Sequence, residues 1–198
     1  MDIQTIIFIG PQGSGKGTQI QKLDDVLTAK DPAHQTIDIQ TGRRFRALSM
    51  KAEGYTEEHV ARTLDSGALQ PLFLSVVLWG DAMREHMSPD KHVLIDGFPR
   101  IVAEAVVLES ALEFYKRANV VIINLDTPED VVRTRMQGRA RKDDTADSIE
   151  ARLKWYREES TLVLDYYRNR AQTSVFDIDG TATIEGVHDQ ILSALNLK

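Results

Sequence analysis

Short apolar runs alternate with longer stretches of helical periodicity along this chain. The runs lie at 5–9, 36–39, 92–95, 120–125 and 174–178 and are rich in valine and isoleucine. Apolar positions at helical spacing predict helices over 16–29, 56–66, 71–87, 101–117, 128–137, 145–171 and 184–195. Runs that are apolar at nearly every position belong to strands covered on both faces. The alternation predicts an α/β fold: a parallel sheet of about five strands, right-handed crossovers, and helices on both faces. Start signals agree. Thr127-Pro128-Glu129 offers a cap and then proline at the first helical position. Glu57 and Glu58 place acid in the first turn that Thr56 opens.

In an open parallel sheet, ligands sit at the carboxyl ends of the strands. Segments 10–18, 40–46, 96–100 and 179–181, together with Asp126, should therefore share one crevice. The first is Gly10-Pro11-Gln12-Gly13-Ser14-Gly15-Lys16-Gly17-Thr18. It has the Gly-x-x-x-x-Gly-Lys frame of a phosphate-binding loop. Glycines let backbone N–H groups turn inward, and the helix that follows points its positive end at the same place. Lys16 adds a full charge for the β- and γ-phosphates of a nucleotide. The general frame has Ser or Thr directly after the lysine. Here Gly17 stands there and Thr18 follows, so a metal lacks that hydroxyl ligand and leans on a carboxylate elsewhere. The plainer reading, a turn between strand and helix, leaves this coincidence of strand, loop and helix unexplained.

Two further constellations bear on phosphate. The third segment runs from an apolar strand into Asp96-Gly97-Phe98-Pro99-Arg100. Asp96 is placed to hold a Mg²⁺-bound water, and Arg100 to grip a phosphate bidentately. The alternative is a helix cap and a surface charge. Farther on, Arg135, Arg139, Arg141 and Arg152 accompany Asp143 and Asp144, and Gly138 breaks the helix before them. Several guanidinium groups suit the equatorial oxygens of a transferring phosphoryl group, with the carboxylates positioning them. The alternatives are a solvated helix face and a basic patch for RNA.

Composition narrows the choice. A net charge of −6 argues against nucleic acid as a partner. The chain's 198 residues suit one domain, residues 1–198. It has no cysteine, which removes disulfides and thiolate zinc sites and fits a cytoplasmic protein. No apolar run approaches the roughly 20 residues of a membrane span, and no leader peptide is expected. Histidines at 34, 59, 86, 92 and 188 show no metal-ligand spacing and are expected on surfaces or helices. Trp79 and Trp155 fall in helical patterns, as core residues would.

Taken in order, these motifs resemble the adenylate kinases of the nucleoside monophosphate kinase family, in their short-lid form. The shared pieces are the loop at 10–18, Thr41-Gly42 with Arg46, Gly67 with Leu69, Asp96 to Arg100, Arg135 to Asp144, Arg152-Leu153 and Asp179-Gly180-Thr181. The resemblance implies ATP + AMP ⇌ 2 ADP, with Mg²⁺ and without zinc, by a monomer. It implies that Gly13, Ser14, Gly15, Lys16, Gly17, Thr18, Arg135, Arg139 and Ala182 bind ATP. It implies that Thr41, Arg46, Ala68, Leu69, Gln70, Gly97, Phe98, Pro99, Arg100 and Glu104, with Arg141 and Arg152, bind AMP. Lys16, Arg100, Arg139, Arg141 and Arg152 become the catalytic set, Asp96 holds the metal through water, and Asp143 and Asp144 position the lid. An acceptor-binding insert is expected at about 40–70 and a lid at about 138–144. The chain also departs from the family. Arg43 stands where an Asp is usual, and Glu104 where a Gln reads the acceptor base. An ionised Glu only accepts hydrogen bonds. Facing adenine N1 it is mismatched, so AMP is expected to remain the acceptor at a higher KM than in Glu104→Gln. Glu104 would suit guanine instead, which leaves GMP, UMP or CMP as alternative acceptors. A nucleotide-binding protein without catalysis is the other alternative.

Overall fold

The strand β1 (Thr5–Ile9) is buried along its whole length and lies at the centre of a five-stranded sheet. In the computed structural model, which describes residues 1–51, 54–139 and 141–198, it is flanked by β3 (His92–Asp96) and β4 (Val120–Asp126). The edges are β2 (Thr36–Gln40) and β5 (Thr173–Asp179), giving the order β2-β3-β1-β4-β5 with every pairing parallel. The register sets Ile7 beside both Ile95 and Ile122. All five predicted strands are present.

Alternate residues of β1 feed two cores, as the period of a strand requires. Ile6 and Phe8 pack with Ile20, Leu23 and Leu27 of α1 (Lys16–Lys30). Val187 and Ile191 of α9 (Ile184–Ala194) close that face. Ile7 and Ile9 pack on the other side with Trp79 of α4 (Leu72–His86), Leu108 of α5 (Val102–Phe114) and Tyr167 of α8 (Thr161–Arg168). Each fully buried aliphatic side chain contributes about 1.5–3 kcal/mol against remaining exposed. No helix among the described residues is long and apolar enough to cross a membrane.

Two differences from the expected elements matter. The chain forms α2 (Thr41–Ser49) where no helix was predicted, ahead of α3 (Tyr55–Ser66). The apolar side of α2 is short, with Phe45 buried and Leu48 packed beside it among arginines, too short for periodicity to announce a helix. The helix expected over 145–171 is three pieces: α7 (Ala146–Trp155), a π-helical turn at Tyr156–Ser160, and α8. Apolar spacing runs through a π-turn nearly unbroken, so periodicity does not reveal it. α6 (Glu129–Gly138) precedes them and joins α7 through Val132, Met136, Ile149 and Leu153. Residues 52 and 53 of the expected insert and residue 140 of the expected lid lie outside the described residues.

The end of α3 is tied down on α7. Gly67 closes α3 at φ 71°, a left-handed conformation that glycine adopts freely. A Cβ there would lie 2.3 Å from the Ser148 carbonyl oxygen. Trp155 Nε1 donates to the Gly67 carbonyl at 3.0 Å, and Arg152 donates to the Leu64 carbonyl at 3.1 Å. The clash is with backbone, which has no rotamer to move away. We therefore expect Gly67→Ala to lower stability by about 1–3 kcal/mol. Equilibrium urea unfolding of the two proteins checks this. An unchanged midpoint would show that α3 does not close on α7 in this way.

Candidate active site

The turn from β1 into α1 is built from glycines. Gly13 has φ 97°, and a Cβ on it would meet Met136 Cγ at 2.7 Å. Only glycine lets the loop lie that close to α6. Gly15 is the left-handed N-cap of α1, so the first turn of the helix opens into the loop. Lys16 Nζ folds back and donates to the carbonyls of Gly10 and Pro11 at 2.8 and 2.9 Å. Arg135 reaches over from α6 to the Ser14 carbonyl at 3.3 Å. Unpaired helix N–H groups, inward amides and an ammonium group together make an anion site.

This loop forms one wall of a cavity of about 670 Å³ at the carboxyl end of the sheet. The other walls carry Arg46 from α2, Asp96 and Arg100 from the end of β3, and Arg139 and Arg141 from the α6–α7 connection. Gly180 and Ala182, after β5, complete it. Four of the five strand-end segments thus meet as expected. Asp126 does not line the cavity; its carbonyl instead accepts from Gly180 N–H at 2.7 Å and holds that turn. Thr41 is buried, and its hydroxyl donates to the Gly97 carbonyl at 2.9 Å. Phe98 is a core residue stacked on Trp79, the rings 5.2 Å apart and nearly parallel. Arg43 sits at the rim, 3.7 Å from Asp38.

Carboxylates brace the cations from behind. Asp144 is buried and accepts from Arg139 Nη2 at 2.9 Å and from Arg152 Nη1 at 2.7 Å. Asp143 accepts from Arg152 Nη2 at 2.7 Å. Burial alone would raise the Asp144 carboxyl; the Arg139 hydrogen bond and the charges of Arg139, Arg152 and Arg141 hold it below its ordinary value. Arg152 does not line the main cavity. It borders a smaller one with Arg46, Arg100, Ala68 and Gln70. Burial is the first cause that lowers the guanidinium groups of Arg46, Arg100 and Arg141, and a neighbouring arginine adds to it in each. Burial likewise pushes Lys16 down to about 8, against the pull of Asp96 and with the push of Arg100 and Arg139. Such crowding of like charge is relieved by an anion entering the cavity.

A second small cavity adjoins, lined by Leu69, Gln70, Ser75, Arg100 and Glu104 among others. Glu104 is 3% exposed, and both of its oxygens are engaged. Oε1 accepts from Ser75 Oγ at 2.6 Å and from Trp79 Nε1 at 3.2 Å. Oε2 accepts from the Arg100 backbone N–H at 2.8 Å. The carboxylate that looked free to face a base is bound by the protein. Ser75 and Trp79 were not candidates from the sequence. Their signal was a serine and a tryptophan one turn apart in the apolar first half of α4.

The histidines correct a second expectation. His92 opens β3 and is fully buried, because β2 pairs with β3 and carries residue 92 beside residues 35 and 36. It lies near Asp31 and His34: Asp31 Oδ1 is 2.9 Å from His34 Nδ1, and Asp31 Oδ2 is 3.4 Å from His92 Nε2. Gln4 N–H donates to His92 Nδ1 at 3.0 Å, which leaves the ring proton on Nε2. The nitrogen that faces Asp31 thus carries a proton and is no free metal ligand, and within the trio the hydrogen bond is the one between Asp31 and His34.

A parallel sheet with a glycine-rich anion loop and an arginine-lined cleft at its carboxyl edge defines a P-loop protein that handles nucleotide phosphates. Comparison with known proteins narrows this. The family described as "Adenylate kinase" matches residues 8–172. The chain is 34% identical to the "Adenylate kinase" of Corynebacterium urealyticum, over 96% of this chain and 98% of that one. It is 34% identical to "Adenylate kinase 1" of a Nostoc species, over 96% and 97%, and 36% identical to the "Adenylate kinase" of a Cyanothece species, over 94% and 95%. The chain belongs to the adenylate kinase family.

The displaced Lys16 pKa makes a stability prediction with a definite sign. The unfolded chain keeps this proton up to the ordinary 10.5, whereas the folded chain releases it at about 8. Between those values the unfolded state binds more protons, so stability rises with pH; below 8 the buried charge is a standing cost. Nucleotide-free Lys16→Met should therefore be more stable than wild type at pH 7. The difference should shrink from about pH 8 to about pH 10. Urea unfolding across that range measures it. A difference that stayed constant or grew would contradict the burial of this charge.

Proposed function

We propose that this cleft moves the terminal phosphoryl group of ATP onto AMP, giving two molecules of ADP. The observation that carries the reading is the convergence of cations from separate elements on one cavity. Lys16 comes from the loop, Arg46 from α2, Arg100 from the end of β3, and Arg139 and Arg141 from the connection before α7. A hydrolase needs one phosphate site and a held water. Transfer between two nucleotides needs two anion sites that face one another.

In this reading Gly13 to Thr18 and Lys16 take the ATP phosphates, Arg135 and Arg139 brace them, and the backbone at Ala182 borders the adenine. Thr41, Arg46 and Arg100 take the AMP side together with residues 68–70. Arg141 and Arg152 stand between. An oxygen of the AMP phosphate attacks the γ-phosphorus; one P–O bond forms as the bond to the departing ADP breaks. That oxygen is already anionic at neutral pH, so no base is required. Catalysis then consists of placing the two phosphates in line and stabilising charge on the equatorial oxygens. Asp96 Oδ1 is buried and has no partner among the described residues, an acceptor that fits a hydrated divalent cation. Asp96 would hold Mg²⁺ there through water, and the ion would supply charge neutralisation to the ATP phosphates. Segments 40–70 and 138–144 close over the nucleotides and keep out water. The protein works as a monomer in the cytoplasm.

The test is formation of ADP from ATP–Mg²⁺ and a panel of nucleoside monophosphates. AMP should be the best acceptor, and Lys16→Ala should cost on the order of 10³ in kcat with the fold intact. No ADP from any acceptor, or a Lys16→Ala protein retaining more than about a tenth of kcat, would overturn the reading.

A further inference from the structure

Glu104 occupies the place where the resemblance puts a base-reading glutamine, yet its carboxylate is already spent inside the protein. Its partners dictate its chemistry. Trp79 Nε1–H and Arg100 N–H are donors that cannot become acceptors, and they address different oxygens of the one carboxylate. Only a side chain that accepts on both arms satisfies both. A glutamine at 104 would set its NH₂ against one of them. The Ser75 hydroxyl is the only partner of the three that can reverse, and it shares Oε1 with Trp79.

What these bonds hold is Arg100. Its N–H is fixed by Glu104, its carbonyl accepts from Ser160 Oγ at 3.0 Å, and its Nε donates to the Gly97 carbonyl at 2.6 Å. Its guanidinium lies 5.2 Å from the centre of the Trp155 ring. The Glu104 charge is also the first of the groups that offset the burial of this guanidinium.

Beside Glu104, in the same small cavity, lies Gln70. It is 7% exposed, and neither its amide nitrogen nor its amide oxygen has a partner among the described residues. A buried amide with both arms free is costly unless something else satisfies it. One N–H donor beside one C=O acceptor matches the hydrogen-bonding edge of a nucleobase.

We infer that base contact has passed from position 104 to the Gln70 side chain, while Glu104 is a positioning residue that clamps the acceptor-gripping Arg100. This rests on the proposed transfer from ATP to AMP. The two roles predict opposite signatures. Glu104→Gln disturbs Arg100, which meets the phosphate that all acceptors share. It should lower kcat/KM for AMP, GMP, CMP and UMP by a similar factor, roughly 5- to 150-fold, with kcat itself reduced. Gln70→Leu should leave kcat near wild type, raise KM for AMP, and compress the preference among the four bases.

A third protein separates positioning from simple loss of fold. In Glu104→Gln with Trp79→Phe, the unswitchable donor on Oε1 is gone, and Ser75 can turn to accept from the new amide. The double variant should recover much of the kcat/KM lost in Glu104→Gln alone. The assay is steady-state ADP formation across the acceptor panel, and wild-type turnover of AMP separately confirms the underlying reaction. A Glu104→Gln protein with lower KM for AMP alone and unchanged kcat would overturn the clamp and restore base reading to position 104. A double variant no better than Glu104→Gln would also overturn it. Unchanged base preference in Gln70→Leu would overturn the role of Gln70.

Discussion

Mutual repulsion among Lys16, Arg46, Arg100, Arg139 and Arg141 is the constraint around which this molecule is organised. Unit charges of like sign in a half-buried cleft repel by several kcal/mol at contact distances, and burial weakens the screening that water would give. The protein manages the repulsion without cancelling it. Asp144 and Asp143 hold Arg139 and Arg152 from the side away from the cavity. Glu104 sits beneath Arg100. Asp96 faces Lys16 and moderates the loss of its proton. A polyphosphate bridging the cavity walls relieves the repulsion.

The fold exists to bring these groups together from distant parts of the chain. Every pairing in the sheet is parallel, so all the strands deliver their carboxyl ends to one edge. The crossovers supply the remaining surfaces. α2 starts directly at the end of β2 and presents Arg46, while α6 and α7 frame the arginines between them. Hydrogen bonds from Trp155 to Gly67 and from Arg152 to Leu64 tie the end of α3 to α7.

Much of this was legible in the sequence because it is written in local pattern. Strands apolar on both faces, a glycine loop behind the first of them and arginines at later strand ends are features of neighbouring residues. The sheet and most of the cleft followed. What stayed hidden depends on pairing between segments far apart. α2 has too few buried positions to show a stripe, and the π-turn at Tyr156–Ser160 leaves helical spacing almost undisturbed. His92 looked like a solitary histidine until β2 and β3 paired and carried it beside Asp31. Glu104 is the clearest case. Its residue type said that it only accepts hydrogen bonds, which is true, but not that Ser75, Trp79 and Arg100 supply the donors.

The central claim is that two phosphate-gripping halves share one cationic cleft. Calorimetric titration with two adenosines joined through five phosphates tests it most directly, because such a ligand fills both halves and the gap between them. One molecule should bind per chain, at least about 100-fold tighter than ATP alone. Binding no tighter than ATP, or two molecules per chain, would contradict it.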